Sequence, residues 1–189
     1  MATQQAYQKM GWRYYYLPYG VSDHDGTEVF YRNLDYFNGL VREEWGFGTH
    51  LHGAQNNSQL ASVTVIDFAK WLEFHVFERS IPLQNEFNRF EPRVALKMDV
   101  EGSEYRTLHH MRTTGTACKL DYIFGELHYQ DYPQSFAGVT LKNQTDVERY
   151  AQQMLKELAK HGCPRFVEFD DEEYLHDGVI YPVPGEDSR

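Results

Sequence analysis

Acids and bases recur two residues apart in two short stretches of this 189-residue chain. In Lys97-Met98-Asp99-Val100-Glu101-Gly102-Ser103-Glu104, alternation puts Lys97, Asp99 and Glu101 on a common side wherever the backbone is extended. In Glu126-Leu127-His128 it puts a carboxylate and an imidazole on one side. Such groups orient a hydroxyl or exchange its proton near neutral pH. A structural role competes, because acidic side chains are also favoured at turns and near helix N-termini. Lys97, inside an apolar run, calls for a carboxylate partner, with Asp99, Glu101 and Glu126 as candidates. An ion pair and a catalytic lysine are both open to it.

The flanking residues predict what holds these groups. Arg93–Met98 reads as a strand that runs into the turn Asp99-Val100-Glu101-Gly102, and Tyr105, Leu108 and Met111 then recur at helical spacing. Leu120–Leu127 is the next strand, and Thr145-Asp146-Val147-Glu148 has the pattern of a capping box opening a helix that stops at Gly162. Arg165–Phe169 and Gly178–Pro182 close the chain as two strands joined by the acidic connection 170–177. Upstream, strands are predicted at Trp12–Leu17, Glu28–Tyr31 and Ser62–Val65, with Asp67 capping a helix that carries Phe68, Trp71, Leu72 and His75 and ends before Pro82. Residues 33–59 hold Gly39, Gly46, Gly48, Gly53 and Asn56-Asn57 without a sustained period, and are expected to form a long loop. Alternating strands and helices predict an α/β fold with a mostly parallel sheet and a C-terminal antiparallel strand pair. In such a sheet ligands lie beyond the carboxyl ends of the strands, where Asp99 and His128 fall.

Composition narrows the partners. Apolar residues at 41% and aromatics at 15% supply one substantial core, and no linker divides the chain, so one domain over 1–189 is expected. A formal charge of −10 repels nucleic acid and anionic lipid, leaving a small or neutral partner. Neither a membrane span nor a signal peptide is predicted, and the compartment stays open. Cys118 and Cys163 are too few for a disulfide framework and lack zinc spacing, so free, partly buried thiols are expected. His50-Leu51-His52 has no third ligand at defined spacing, and no residue is assigned as a metal ligand. Of His109-His110, one ring is expected at the surface and the other packed. Asp170–Glu173 reads as a solvated connection, and Tyr14-Tyr15-Tyr16 as alternating core and surface.

The run from Val94 through Glu104, then Leu108, then Glu126-Leu127-His128, resembles the "lysine, x, aspartate, x, glutamate, glycine, x, glutamate" and "glutamate, x, histidine" strand ends of FkbM-type methyltransferases. The likeness extends to Val63-Thr64-Val65-Ile66-Asp67 and to Gly20-Val21-Ser22-Asp23-His24-Asp25-Gly26, similar to the family's "alanine, valine, serine, x, x, x, glycine" turn. Residues 33–59 match nothing in it. The resemblance implies a Rossmann-like class I methyltransferase fold using S-adenosylmethionine. It also implies a glycine-containing first strand end and an acidic second strand end, neither of which precedes Val21. The first two strand–helix units, on the order of 60 residues at roughly 30 each, are therefore expected to be lacking, making 1–189 a partial domain. The lost first strand would lie beside the Val94 strand, leaving a sheet edge through which self-association is expected. By the family's strand order, the strands after Cys118 and Cys163 are one strand apart, about 9.5 Å, too far for a disulfide at the ~7 Å Cα limit.

The activity implied is methyl transfer to a hydroxyl of a small molecule or glycan. That needs a group to orient or deprotonate the acceptor, or a metal to hold it. Asp99 and Glu101 are assigned to that side, Glu126 and His128 to the side opposite, and Ser22 and Asp23 to contact with the donor's adenine end. The alternative is a non-catalytic binding protein that retains the acceptor half of the fold. A metal-dependent hydrolase on Asp99, Glu101, Glu126 and His128 ranks third, for want of a motif.

Overall fold

The structure is a computed structural model that describes residues 8–9, 11, 13–37, 40–48, 59–79, 93–129 and 132–168. Strand β1 (Gly20–Ser22), β2 (Gly26–Phe37), β3 (Leu40–Gly48) and β4 (Gln59–Asp67) form one sheet in the order β1-β4-β2-β3. Only β1 and β4 run parallel in it; β4 with β2 and β2 with β3 are antiparallel. β4 shows why it is a strand: Val63 and Val65 turn inward while Ser62 and Thr64 are exposed. Gly20 lets β1 approach, since a Cβ there would lie 2.8 Å from the Phe30 ring and 3.0 Å from Val65.

A second sheet, all parallel, has the order β5-β6-β9, from β5 (Ala95–Met98), β6 (Tyr122–Gly125) and β9 (Phe166–Glu168). A short hairpin, β7 (Ser135–Phe136) and β8 (Val139–Thr140), lies between β6 and the last helix. Helix α1 (Phe68–Leu72), capped by the Asp67 side chain on the Lys70 N–H, continues as a π turn over Glu73–Phe77. Helix α2 (Glu104–Thr113) buries Tyr105, Leu108 and Met111 completely. Helix α3 (Gln144–Lys160) buries Val147, Ala151, Met154 and Leu158, and these two apolar stripes share a core with Met98, Ile123 and Phe166. α2 is also tied to the first sheet, through an Arg106–Glu28 ion pair and His110 on Asp67 at 3.1 Å.

Several expectations are corrected. The strands form one mixed and one parallel sheet rather than a single mostly parallel sheet, because β2, which contains the predicted Glu28–Tyr31 strand, runs on into the segment read as a loop and returns there as β3. Register shifts between Arg32/Asn33 and Asp35/Tyr36 break the alternation past Tyr31, where the predicted strand ends. Residues 13–19, expected as a strand with Trp12, have no regular structure, and pairing starts at Gly20. α3 starts earlier than the capping-box pattern, with Asn143 accepting the Asp146 N–H. Lys97 is at the sheet edge and 43% exposed rather than interior.

The largest correction concerns the cysteines. Cys118 and Cys163 form a disulfide, and no described cysteine is free. The reason is strand order: β6 and β9 pair directly, Ile123 opposite Phe166, so the two cysteines precede neighbouring strands, one step apart instead of two. Pro82, His50, His52, the connection 170–177 and the strand at Gly178–Pro182 lie outside the described residues. Among the described residues, no helix is long and apolar enough to cross a membrane.

Candidate functional site

The carboxyl ends of β5 and β6 meet at one point. Gly125 allows the meeting, because at φ +157° a Cβ would fall 1.8 Å from the Met98 carbonyl oxygen. The Glu126 N–H then donates to that oxygen at 3.0 Å, joining the two ends. Past Met98 the chain turns through Glu101, whose φ of +49° is unusual for a side-chain-bearing residue, and Gly102 at φ +90°. The turn delivers Asp99 and Glu101 beside His128, and ligand atoms of all three lie within 4.8 Å of one another. His128 Nε2 is 3.8 Å from Asp99 Oδ1 and 3.5 Å from Glu101 Oε2. Asp99 Oδ2 faces the Lys97 ammonium at 3.9 Å, so the lysine partners the carboxylate oxygen turned away from the ring.

The ring is held from behind by Glu104, a side chain with no exposure. Glu104 Oε1 is 2.9 Å from His128 Nδ1 and also accepts the Val100 N–H at 2.9 Å. An oxygen already accepting a backbone N–H is an acceptor, so His128 carries a proton on Nδ1 and turns Nε2 towards Asp99 and Glu101. Burial pushes the ring's pKa down, but the hydrogen bond it donates to Glu104 and the charges of Glu104, Glu101 and Glu126 outweigh it and raise it to about 9. Glu126 therefore acts on the ring by its charge, outside the converging trio. Glu104 was missing from the sequence assignment, although the quoted motif ends on it; its position at the start of α2 gives it the appearance of a helix-start acid.

Ser22 and Asp23 sit at the end of β1 in a different network. Ser22 has no exposure, and its hydroxyl donates to Glu28 Oε1 at 2.8 Å. Asp23 pairs with His24 at 2.8 Å. Burial would raise the Asp23 pKa, yet the His24 hydrogen bond and the Arg106 charge hold it below the usual carboxylate range. Glu28 also takes Arg106, so α2 carries both networks, one at Glu104 and one at Arg106 two residues on. His109 and His110 are each partly buried and bonded, to the Tyr150 hydroxyl at 2.6 Å and to Asp67, which corrects the expectation of one surface ring.

A site with two carboxylates and an oriented imidazole at a shared strand end can bind a hydroxyl, take its proton, or hold a cation. A family model described as Methyltransferase FkbM domain matches residues 4–163. No curated protein and no solved structure matches the chain.

Proposed function

The chain belongs to the FkbM methyltransferase family, and from that premise we propose that it is an S-adenosylmethionine-dependent O-methyltransferase acting on a hydroxyl of a small molecule or glycan. The observation that supports this reading best is the convergence of Asp99, Glu101 and His128 at the joined ends of β5 and β6. Bound S-adenosylmethionine supplies an electrophilic methyl group. Asp99 and Glu101 accept a hydrogen bond from the acceptor hydroxyl and take its proton, and His128, held by Glu104, orients the two carboxylates. Glu126 adds negative charge that keeps the ring in this role.

The donor side fits less well. The close-packed glycines of the described strands, Gly20 and Gly125, meet protein atoms rather than open space, and Ser22 spends its hydroxyl on Glu28. Of the two residues assigned to the donor, Asp23 is the one with a partly exposed carboxylate, at 24%. We therefore read residues 1–189 as one domain that carries the acceptor side of a Rossmann-like class I fold. The packing of Gly20 and Gly125 against protein atoms favours the second reading, a binding protein that keeps the acceptor site alone.

The test is conversion of hydroxyl acceptors in the presence of S-adenosylmethionine, followed as the demethylated donor product by mass spectrometry. In a form with turnover, Asp99→Asn is expected to lower kcat at least tenfold while the melting temperature moves little, since Asp99 is exposed at a strand end. A sharp loss of stability with turnover intact would make Asp99 a turn residue.

A further inference from the structure

We infer that Asp99, Glu101 and His128 form a binding site for one divalent cation of the Mn2+ type, with Glu104 as the group that positions the histidine ligand. This goes beyond methyl transfer, and cation binding does not depend on that reading. The geometry is the first ground. Two ligands each ~2.1 Å from an ion stand roughly 3.0 Å apart at right angles and about 4.2 Å apart when opposite. The Nε2 separations of 3.8 Å to Asp99 Oδ1 and 3.5 Å to Glu101 Oε2 fall in that interval, and the three ligand atoms lie within 4.8 Å of one another.

Glu104 is the second and independent ground. It is a carboxyl group with no exposure; its Oε1 holds His128 Nδ1, and its Oε2 is buried with no hydrogen-bond partner. Burying an acid in this way costs several kcal/mol unless a compensating positive group is near. A carboxylate behind a histidine fixes the ring's tautomer and orientation and strengthens the opposite nitrogen as a metal ligand, the usual arrangement behind metal-bound imidazole. Here the opposite nitrogen is Nε2, and it faces two carboxylate oxygens. A cation between them takes the place of the Nε2 proton and satisfies all three groups together.

The donor set selects the ion. Two carboxylate oxygens suit Mg2+ and Mn2+, while an imidazole suits transition ions, and Mn2+ accepts both. Three protein ligands leave coordination positions open. Asp99 and Glu101 are about one-third exposed, so those positions face solvent and an oxygen-bearing acceptor.

The experiment uses the whole 189-residue chain, stripped of metal by chelation and dialysis, and Mn2+ alone as the probe, with binding read from the paramagnetic signal of the free ion. One Mn2+ per chain is expected. Asp99→Asn and Glu101→Gln should each weaken it at least tenfold, and Glu104→Gln, which touches no ion, by roughly 10- to 100-fold. Circular dichroism of each variant checks that it is folded; if Glu104→Gln is not, His128→Gln replaces it, with a loss of at least tenfold expected. Mn2+ held no more tightly by the native chain than by the Asp99→Asn/Glu101→Gln double variant overturns the site. Neither donor nor acceptor is present in this titration. Binding without any methyl transfer would thus support the cation site alone, while transfer by a chain that binds no Mn2+ would support the activity and overturn the site.

Discussion

His109 shows how a single side chain can make stability depend on pH away from the proposed site. Its ring sits edge-on to Phe136 at 5.7 Å and binds the Tyr150 hydroxyl, with Arg112, His110, Asp23 and Glu157 as the charged groups acting on it. Burial, then the Arg112 and His110 charges, hold its pKa below the ordinary value near 6.5, against weaker opposing pulls from Asp23 and Glu157. The folded state therefore binds the proton less well than the unfolded chain. The resulting stability is present above about pH 6.5 and is lost as pH falls through the folded value. Melting temperature measured from pH 7 down to pH 5 should drop more steeply for the native protein than for His109→Gln. Parallel curves for the two would mean that the His109 ring titrates alike folded and unfolded.

At the scale of elements, the disulfide is the feature with the largest expected effect. It ties the 3-10 turn Thr116–Lys119, which leads into β6, to the segment between α3 and β9. Closing a loop with a sequence separation of 45 removes entropy from the unfolded chain worth up to about 4 kcal/mol, and measured bridges of this kind commonly give ~2–4 kcal/mol. Cys118→Ser is expected to lower unfolding free energy in urea by that amount, and thiol counting on the unreduced, denatured protein should find none free at Cys118 and Cys163. Two free thiols would contradict the direct pairing of β6 with β9. The helices behave as their residue types require: α2 and α3 present apolar residues at three- and four-residue spacing, and Asp67 caps α1 as expected. The strand predicted at Glu28–Tyr31 is the first part of β2, but the rest of β2 and all of β3 were not legible, because a bulged strand loses the period of two by which strands are recognised.

At the scale of the whole molecule, the two sheets meet through α2, and β5 pairs only with β6 among the described residues. That leaves the β5 edge as the place where the proposed fold expects another strand, and an edge of this kind favours self-association. The same reasoning bears on the donor. Losing even one hydrogen bond to a charged ligand, ~1.5–3 kcal/mol, weakens binding by tens of fold or more. Calorimetric titration of the 189-residue chain with S-adenosylmethionine should therefore show no saturation in the micromolar range. Micromolar binding would mean that residues of this chain other than Ser22 and Asp23 form a donor site, and the reading as an acceptor part would fall.

By itself the sequence determined the element types around the site, the helical faces of α2 and α3, and the motif that places the chain in its family. Those are local properties, set by side-chain size, polarity and period over a few residues, and they survive wherever the elements are placed. The tertiary structure alone decided that Asp99 and Glu101 meet His128, that Glu104 stands behind the ring, and that Cys118 meets Cys163. These contacts span 24 residues from Glu104 to His128 and 45 between the cysteines. They depend on which strands are neighbours and in what register, and strand order is a property of the packed chain, invisible to any window of sequence that covers one element at a time.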